Sequence, residues 1–268
     1  MTPRTDAGPK GALDRALEIL EVLTMRGKAT TAELVEAVGV SRSAVYRLVE
    51  RLEAAEYLTL ADGQWRLGPA AARMAMAAVH NMDVLTVAPP MLRDLAHRTG
   101  ETVSLGVLSG DEIVFVFREI GHQAVHVRSE LGARRPLHAT SVGKAYLAGL
   151  APERCHETIE RLPMQVFTKA TVHDRDRLRE AVSEARRRGW AEEHGEFDAG
   201  STCFGAPVFD QSGTVTAAIS IAGPTARMDA ARDPFGPLVA ETAAAISHRL
   251  GYSDRAKPLA PRPEHQGA

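Results

Sequence analysis

Residues 41–51, SRSAVYRLVER, set Ser41, Arg42, Ser43, Tyr46, Arg47 and Arg51 outside an apolar seam formed by Val40, Val45 and Leu48. In a helix that spacing gathers hydroxyls, guanidinium groups and one phenol on a single solvent face. Guanidinium groups pair with guanine edges or phosphate, and hydroxyls donate to phosphate oxygens, so this is chemistry suited to a DNA major groove. Arg47, one turn from Ser43 and beside Tyr46, has the geometry for a groove contact. Arg42 near the helix start can meet phosphate or a guanine edge, Ser41 and Ser43 can donate to phosphate at the positive helix end, and Arg51 extends the basic face. Arg66, on a hairpin that follows, adds a cation from a second element.

Other constellations carry less. The run HATSVGK at 138–144 lacks a phosphate loop's first glycine, replaced by His138, and its Ser or Thr after the lysine, replaced by Ala145. A nucleophile elbow around Ser141 needs glycine at 139, where alanine stands. His122 and His126, expected on a strand, would share one face without a zincin glutamate between them, and a site from His138, His194 and Cys203 depends on proximity that spacing does not give. No cofactor motif is complete.

Positioning the basic face requires a helix-turn-helix. Leu13, Leu17, Leu20 and Leu23 mark a first helix, and Thr30 with Glu33 has capping-box spacing for a second that stops at Gly39. Ser41 caps the third. Residues 58–60 and 64–67 then alternate around Ala61-Asp62-Gly63 as a hairpin. Two core helices of an all-α bundle would explain the seam, but a bundle has no need of a hairpin there, whereas a winged module does. The run 70–79, rich in alanine and methionine, reads as a further helix, with small residues that suit either close helix approach or simple helix propensity.

With 268 residues the chain has room for two cores, and its composition is that of a soluble globular protein. The apolar runs are too short to cross a bilayer and no signal segment precedes the first helix, so the expectation is a cytoplasmic protein without a membrane partner. Two cysteines preclude a disulfide framework. A formal net charge of -2 offers no global attraction to phosphate, which confines any DNA contact to a local basic face. Beyond residue 83 the pattern predicts a helix over 83–98, kinked or restarted at Pro89-Pro90. Strands follow around 103–107 and 113–117, with a third beginning at Val125 and Val127. Helices over 142–150, 152–161 and 174–188, strands over 203–209 and 215–221, and a helix over 229–250 complete the pattern.

Together these segments resemble the IclR-type bacterial transcriptional regulators over roughly residues 13–252. The supporting pieces are LDRALEILEVL at 13–23, SRSAVYRLVERL at 41–52, WRLG at 65–68 and GARRPLHATSVGK at 132–144, then RGW at 188–190, GSTCFGAPV at 200–208 and AISIAGP at 218–224. The resemblance implies an α+β chain with an N-terminal winged helix-turn-helix, a linking helix and a C-terminal GAF-like α/β effector-binding domain. The implied boundaries are a disordered arm at 1–10, the winged domain at 11–69, the linking helix at 70–82, the effector domain at 83–252 and a disordered tail at 253–268. It implies double-stranded operator DNA and a small-molecule effector as partners, a homodimer or tetramer, and no catalysed reaction. The family's effector pocket falls on Ser141 and Val142 at a helix start, Glu193 after the Trp190 strand, Cys203 and Ser220. Some members have serine at the place of Ala222 and aspartate at the place of Glu193, so the effector implied here is larger, less polar or differently oriented, and the Glu193 carboxylate could equally favour a cationic or hydrogen-bond-donating ligand. The runner-up is an enzyme acting on a small molecule and regulated by its N-terminal module, although no complete nucleophile, base and orienter set supports it.

Overall fold

The computed structural model describes residues 10–80, 83–127, 130–230 and 232–253, and the chain divides into two units, Met1–Met82 and Asp83–Ala268. The expected arm and tail lie outside the described residues, apart from Lys10 and Ser253.

The first unit contains helices α1 (Ala12–Arg26), α2 (Thr31–Val38) and α3 (Arg42–Ala54), strands β1 (Leu58–Ala61) and β2 (Gln64–Leu67), and helix α4 (Pro69–His80). Each boundary has a local cause. The Thr30 hydroxyl accepts the Glu33 amide at 3.3 Å while the Glu33 carboxylate accepts the Thr30 amide at 2.7 Å, closing the capping box that the spacing predicts. Gly39 ends α2 in the left-handed region at φ 70°, and the Ser41 hydroxyl accepts the Ala44 amide at 3.3 Å to start α3. Asp62 and Gly63, at φ 53° and 70°, form the two-residue turn whose twist suits a hairpin. Trp65 binds this wing to the helices: its backbone exchanges bonds of 3.0 and 2.7 Å with Ala29, and its indole N–H donates to Thr31 Oγ1 at 3.0 Å. Ile19, Leu23, Leu34, Val45, Val49, Leu58 and Trp65 form the core.

The second unit begins with α5 (Asp83–Thr99) and strands β3 (Thr102–Ser109), β4 (Glu112–Glu119) and β5 (Arg134–Pro136). Helices α6 (Ser141–Gly149), α7 (Pro152–Arg161) and α8 (Arg175–Arg188) follow, then β6 (Ala191–His194), β7 (Ser201–Phe209), β8 (Val215–Pro224), α9 (Thr225–Ala230) and α10 (Arg232–Arg249). The strands form one antiparallel sheet in the order β5-β4-β3-β8-β7-β6. Along β7, Phe204 turns to Trp190 and Phe235 of α10, while Gly205 turns to α6. A Cβ at Gly205 would stand 2.7 Å from the Ser141 carbonyl oxygen, so glycine lets the start of α6 rest directly on the sheet.

Several sequence expectations are corrected. The third strand is Arg134–Pro136, not a segment starting at Val125. The Val125 and Val127 carbonyls accept from the Arg227 guanidinium at 2.6 Å and the Thr102 hydroxyl at 3.4 Å, contacts that hold this stretch as a loop. His122 and His126 therefore do not share a strand face. Helix α5 runs through Pro89 and Pro90 without restarting, because its buried face of Val84, Ala88, Leu92, Leu95 and Ala96 continues across them. Glu193 lies within strand β6, which Trp190 precedes, and helix is described over Thr225–Ala230 and Arg232–Arg249 where the terminal helix was expected.

Candidate nucleic-acid interface and small-molecule pocket

Ser41, Arg42, Ser43, Tyr46, Arg47, Arg51 and Arg66 are all exposed. Val45 and Val49 are fully buried, and a helix turning about 100° per residue puts Arg47 about 180° from the midpoint between them. Arg47 thus stands at the crest of α3. Arg42 Nη2 donates to the Tyr46 hydroxyl at 3.3 Å and its guanidinium lies 5.6 Å from that ring, so these two side chains act as one unit. This hydrogen bond, with the guanidinium charge, lowers the Tyr46 pKa. Ser41 is occupied in capping α3, with Ser43 Oγ 3.2 Å away. Arg47 and Arg51 border a hollow that Arg15 of α1 also lines. Arg15 escapes a reading of the third helix alone because it comes from another element. Arg66 stands on β2 opposite Thr59.

In the second unit Ser141, Val142, Glu193, Cys203 and Ser220 line one cavity of about 80 Å³. Strand register brings the sheet residues together. Glu193 pairs with Cys203 and Cys203 with Ala222, while in the neighbouring row Gly205 pairs with Ser220 and Ser220 with Ser104. Residues two apart on a strand share a face, so both rows look toward α6. There Thr140 caps the helix: its hydroxyl accepts the Gly143 amide at 3.2 Å and its carbonyl the Lys144 amide at 2.9 Å. The Ser141 and Val142 amides are the remaining donors of this helix start, where the backbone dipole favours an anion or an oxygen acceptor.

Glu193 is 2% exposed, and burial pushes its carboxyl above the usual carboxylate range although its Oε1 accepts from the Glu196 amide and, at 3.2 Å, the Phe197 amide. Burial and the neighbouring Glu193 carboxylate push the Cys203 thiol up strongly, so it is a neutral, weak donor and no nucleophile. Ser104, Phe115, Arg135, Phe197 and Ser201 also line the cavity and are absent from the sequence-derived set. Ser104 could have been found by strand alternation from Val103 and Leu105. Phe197 and Arg135 could not, since a loop and an edge strand bring them in.

Residues 12–61 match the IclR helix-turn-helix domain, and residues 76–248 match the bacterial transcriptional regulator IclR C-terminal domain. The chain belongs to the IclR family of bacterial transcriptional regulators. Among its relatives, the HTH-type transcriptional regulator BhcR of Paracoccus denitrificans is 35% identical over 230 residues, 85% of this chain and 82% of that protein. The HTH-type transcriptional repressor AllR of Escherichia coli K12 is 34% identical over 246 residues, 90% of each chain. An IclR homologue from Microbacterium hydrocarbonoxydans, solved with 4-hydroxybenzoate, superposes with a TM-score of 0.80 at 27% identity, covering 91% of this chain and all of that one. The Thermotoga maritima IclR superposes with a TM-score of 0.74 at 28% identity over 90% and 98% of the two chains.

Like these relatives, this IclR-family regulator combines a helix-turn-helix with an effector-binding domain. Among its described residues no group of three or more His, Cys, Asp or Glu side chains is placed to hold a metal ion, and no helix is long and apolar enough to cross a membrane. His138 instead bonds the Gln165 carbonyl at 2.8 Å, and His194 bonds Thr202 at 3.0 Å with Asp229 3.4 Å away. Lys144, the lysine of the apparent phosphate loop, is buried in an ion pair with Glu196.

Proposed function

We propose that α3 reads an operator through the major groove, with Arg47 at its centre, while Ser43, Arg42 with Tyr46, Arg51 and the wing residue Arg66 fix the register on the backbone. The cavity under α6 binds a small metabolite, an organic acid or aromatic compound, and its occupancy changes operator affinity. The observation that carries this reading is the convergence of Ser141, Val142, Glu193, Cys203 and Ser220, drawn from four separate elements, on one cavity. The 4-hydroxybenzoate held by the Microbacterium homologue supports an acid as ligand, and the cavity's about 80 Å³ favours a compact one. The AllR relatives, named repressors, favour repression as the sign of control.

The working form is a cytoplasmic homodimer or tetramer, with residues 11–69 as the DNA-binding domain, 70–82 as linker and 83–252 as effector domain. No reaction is catalysed, since the pocket's one thiol is neutral and its buried carboxyl, Glu193, is engaged by backbone amides. Coupling of about 1–3 kcal/mol between the sites would shift operator affinity roughly 5- to 150-fold. A thermal-shift screen of organic acids identifies ligands, because binding to the native state raises the melting temperature. An operator titration with each hit then tests control: the reading requires at least one hit to change operator affinity, and hits that leave it unchanged would sink it.

A further inference from the structure

Arg135 differs from the rest of the cavity wall. Among the described residues lining the cavity it is the one cation, set among hydroxyls, apolar side chains, a thiol and the carboxyls of Glu193 and Asp198. Its guanidinium lies 5.2 Å from the ring centre of Phe115 on β4 and 5.0 Å from that of Phe197 on the loop between β6 and β7. Two aromatic contacts hold the planar group, whose polar function is its in-plane fork of N–H donors. Of these donors, Nη1 bonds the Arg134 carbonyl at 2.9 Å. Burial lowers the Arg135 pKa, opposed by the charge of Glu130, and an arginine remains protonated in such a setting.

The two acids on the wall do not match this fork. Glu193 gives its Oε1 to two amides and burial favours its neutral form. Asp198 is exposed and its Oδ1 accepts the Gly200 amide at 3.1 Å. A guanidinium partly removed from water, beside an apolar space and, among the described residues lining the cavity, without a bidentate carboxylate, is complementary to a planar anion.

We propose that Arg135 receives the carboxylate of the effector as its bidentate partner, which makes the ligand of this regulator a small organic anion and Arg135 a determinant of its specificity. The start of α6 and the pocket hydroxyls then bind the ligand's other oxygen atoms, and Phe115 and Phe197 position the guanidinium. The inference rests on the cavity being the effector site.

The test uses the full chain and isothermal titration calorimetry with four acids, each beside its neutral amide: glycolate and glycolamide, lactate and lactamide, succinate and succinamide, 4-hydroxybenzoate and 4-hydroxybenzamide. In the wild type at least one acid binds, and its amide binds at least about tenfold more weakly. Arg135→Gln weakens that acid about 10- to 100-fold and abolishes the preference over the amide, whereas Arg135→Lys recovers only part, because an ammonium lacks the fork. Circular-dichroism melts establish that both variants fold. Equal binding of acid and amide, wild-type acid affinity in Arg135→Gln, or no binding by any of the four acids overturns the proposal. If an acid binds through Arg135 but leaves operator affinity unchanged, the regulatory reading fails and the carboxylate assignment stands. If an amide changes operator affinity equally in wild type and Arg135→Gln, the regulatory reading stands and the assignment fails.

Discussion

Arg47 and Arg66 differ in what their loss would remove. Arg47, at the crest of α3, is the candidate for reading a base edge, so Arg47→Ala should cost about 1–3 kcal/mol of operator binding and relax sequence preference. Arg66→Ala should weaken all sequences alike and reduce the slope of log affinity against log salt by about 1, as expected when a phosphate contact is lost. Anisotropy titrations on specific and scrambled duplexes at several salt concentrations separate the two outcomes. Glu193 makes a prediction of another kind. Burial holds its folded-state pKa above the usual value of 4.5, so in the window above 4.5 the folded chain binds more protons than the unfolded one. Its contribution to stability is present at lower pH and declines as pH rises through that window. The melting temperature of Glu193→Gln should therefore gain on the wild type as pH rises above the usual carboxyl value of 4.5, and a pH-independent difference would contradict this. At this scale the sequence was informative for side chains on regular elements. Ser41 to Arg51 follow from helical spacing, and the five family-derived pocket positions meet in one cavity. Arg135 and Phe197 were not legible, because an edge strand of three residues and an irregular loop have no periodicity to show where they point.

Helix α6 and strand β7 build the pocket, and their seating depends on small residues and a buried ion pair. Gly205→Ala would place a Cβ 2.7 Å from the Ser141 carbonyl oxygen and 2.8 Å from its carbonyl carbon. Backbone cannot yield as a flexible side chain can, so the cost is about 1–3 kcal/mol by urea unfolding, together with weaker ligand binding as α6 shifts. Wild-type stability and ligand affinity would show that α6 can move away from β7 without cost. Lys144 and Glu196, with side chains 3% and 10% exposed, tie α6 to the loop that carries Phe197. Removing Lys144 alone leaves a buried carboxylate unpaired, and Lys144→Met should cost about 3–5 kcal/mol, with part regained when Glu196→Leu is added. No recovery in the double variant would argue that packing dominates over charge. The helices and the long strands were legible from apolar period and capping residues, Thr30 with Glu33 and Ser41 above all. The order of the strands was not, since the β3–β8 pairing joins residues more than a hundred positions apart. The strand expected at Val125 failed because side chains from β3 and α9 capture the carbonyls of that stretch.

At the scale of the whole molecule, a net charge of -2 means that DNA attraction comes from a small surface, with Arg15 now joining Arg47 and Arg51 beside α3. A two-fold symmetric dimer would need recognition helices about 34 Å apart or a multiple of it, so operator half-sites should be centred about 10 base pairs apart or a multiple. Footprinting of the bound operator checks this, and a single undivided half-site would exclude the symmetric mode. Control by a ligand in the second unit of the DNA affinity set by the first links the two sites. It is tested most directly by titrating a labelled operator at fixed salt with and without a saturating acid from the thermal-shift screen, using the wild type and Ser220→Val. A roughly 5- to 150-fold change in operator Kd is expected for the wild type and little or none for the variant. A wild-type Kd unchanged by a ligand that calorimetry shows to be bound would contradict it.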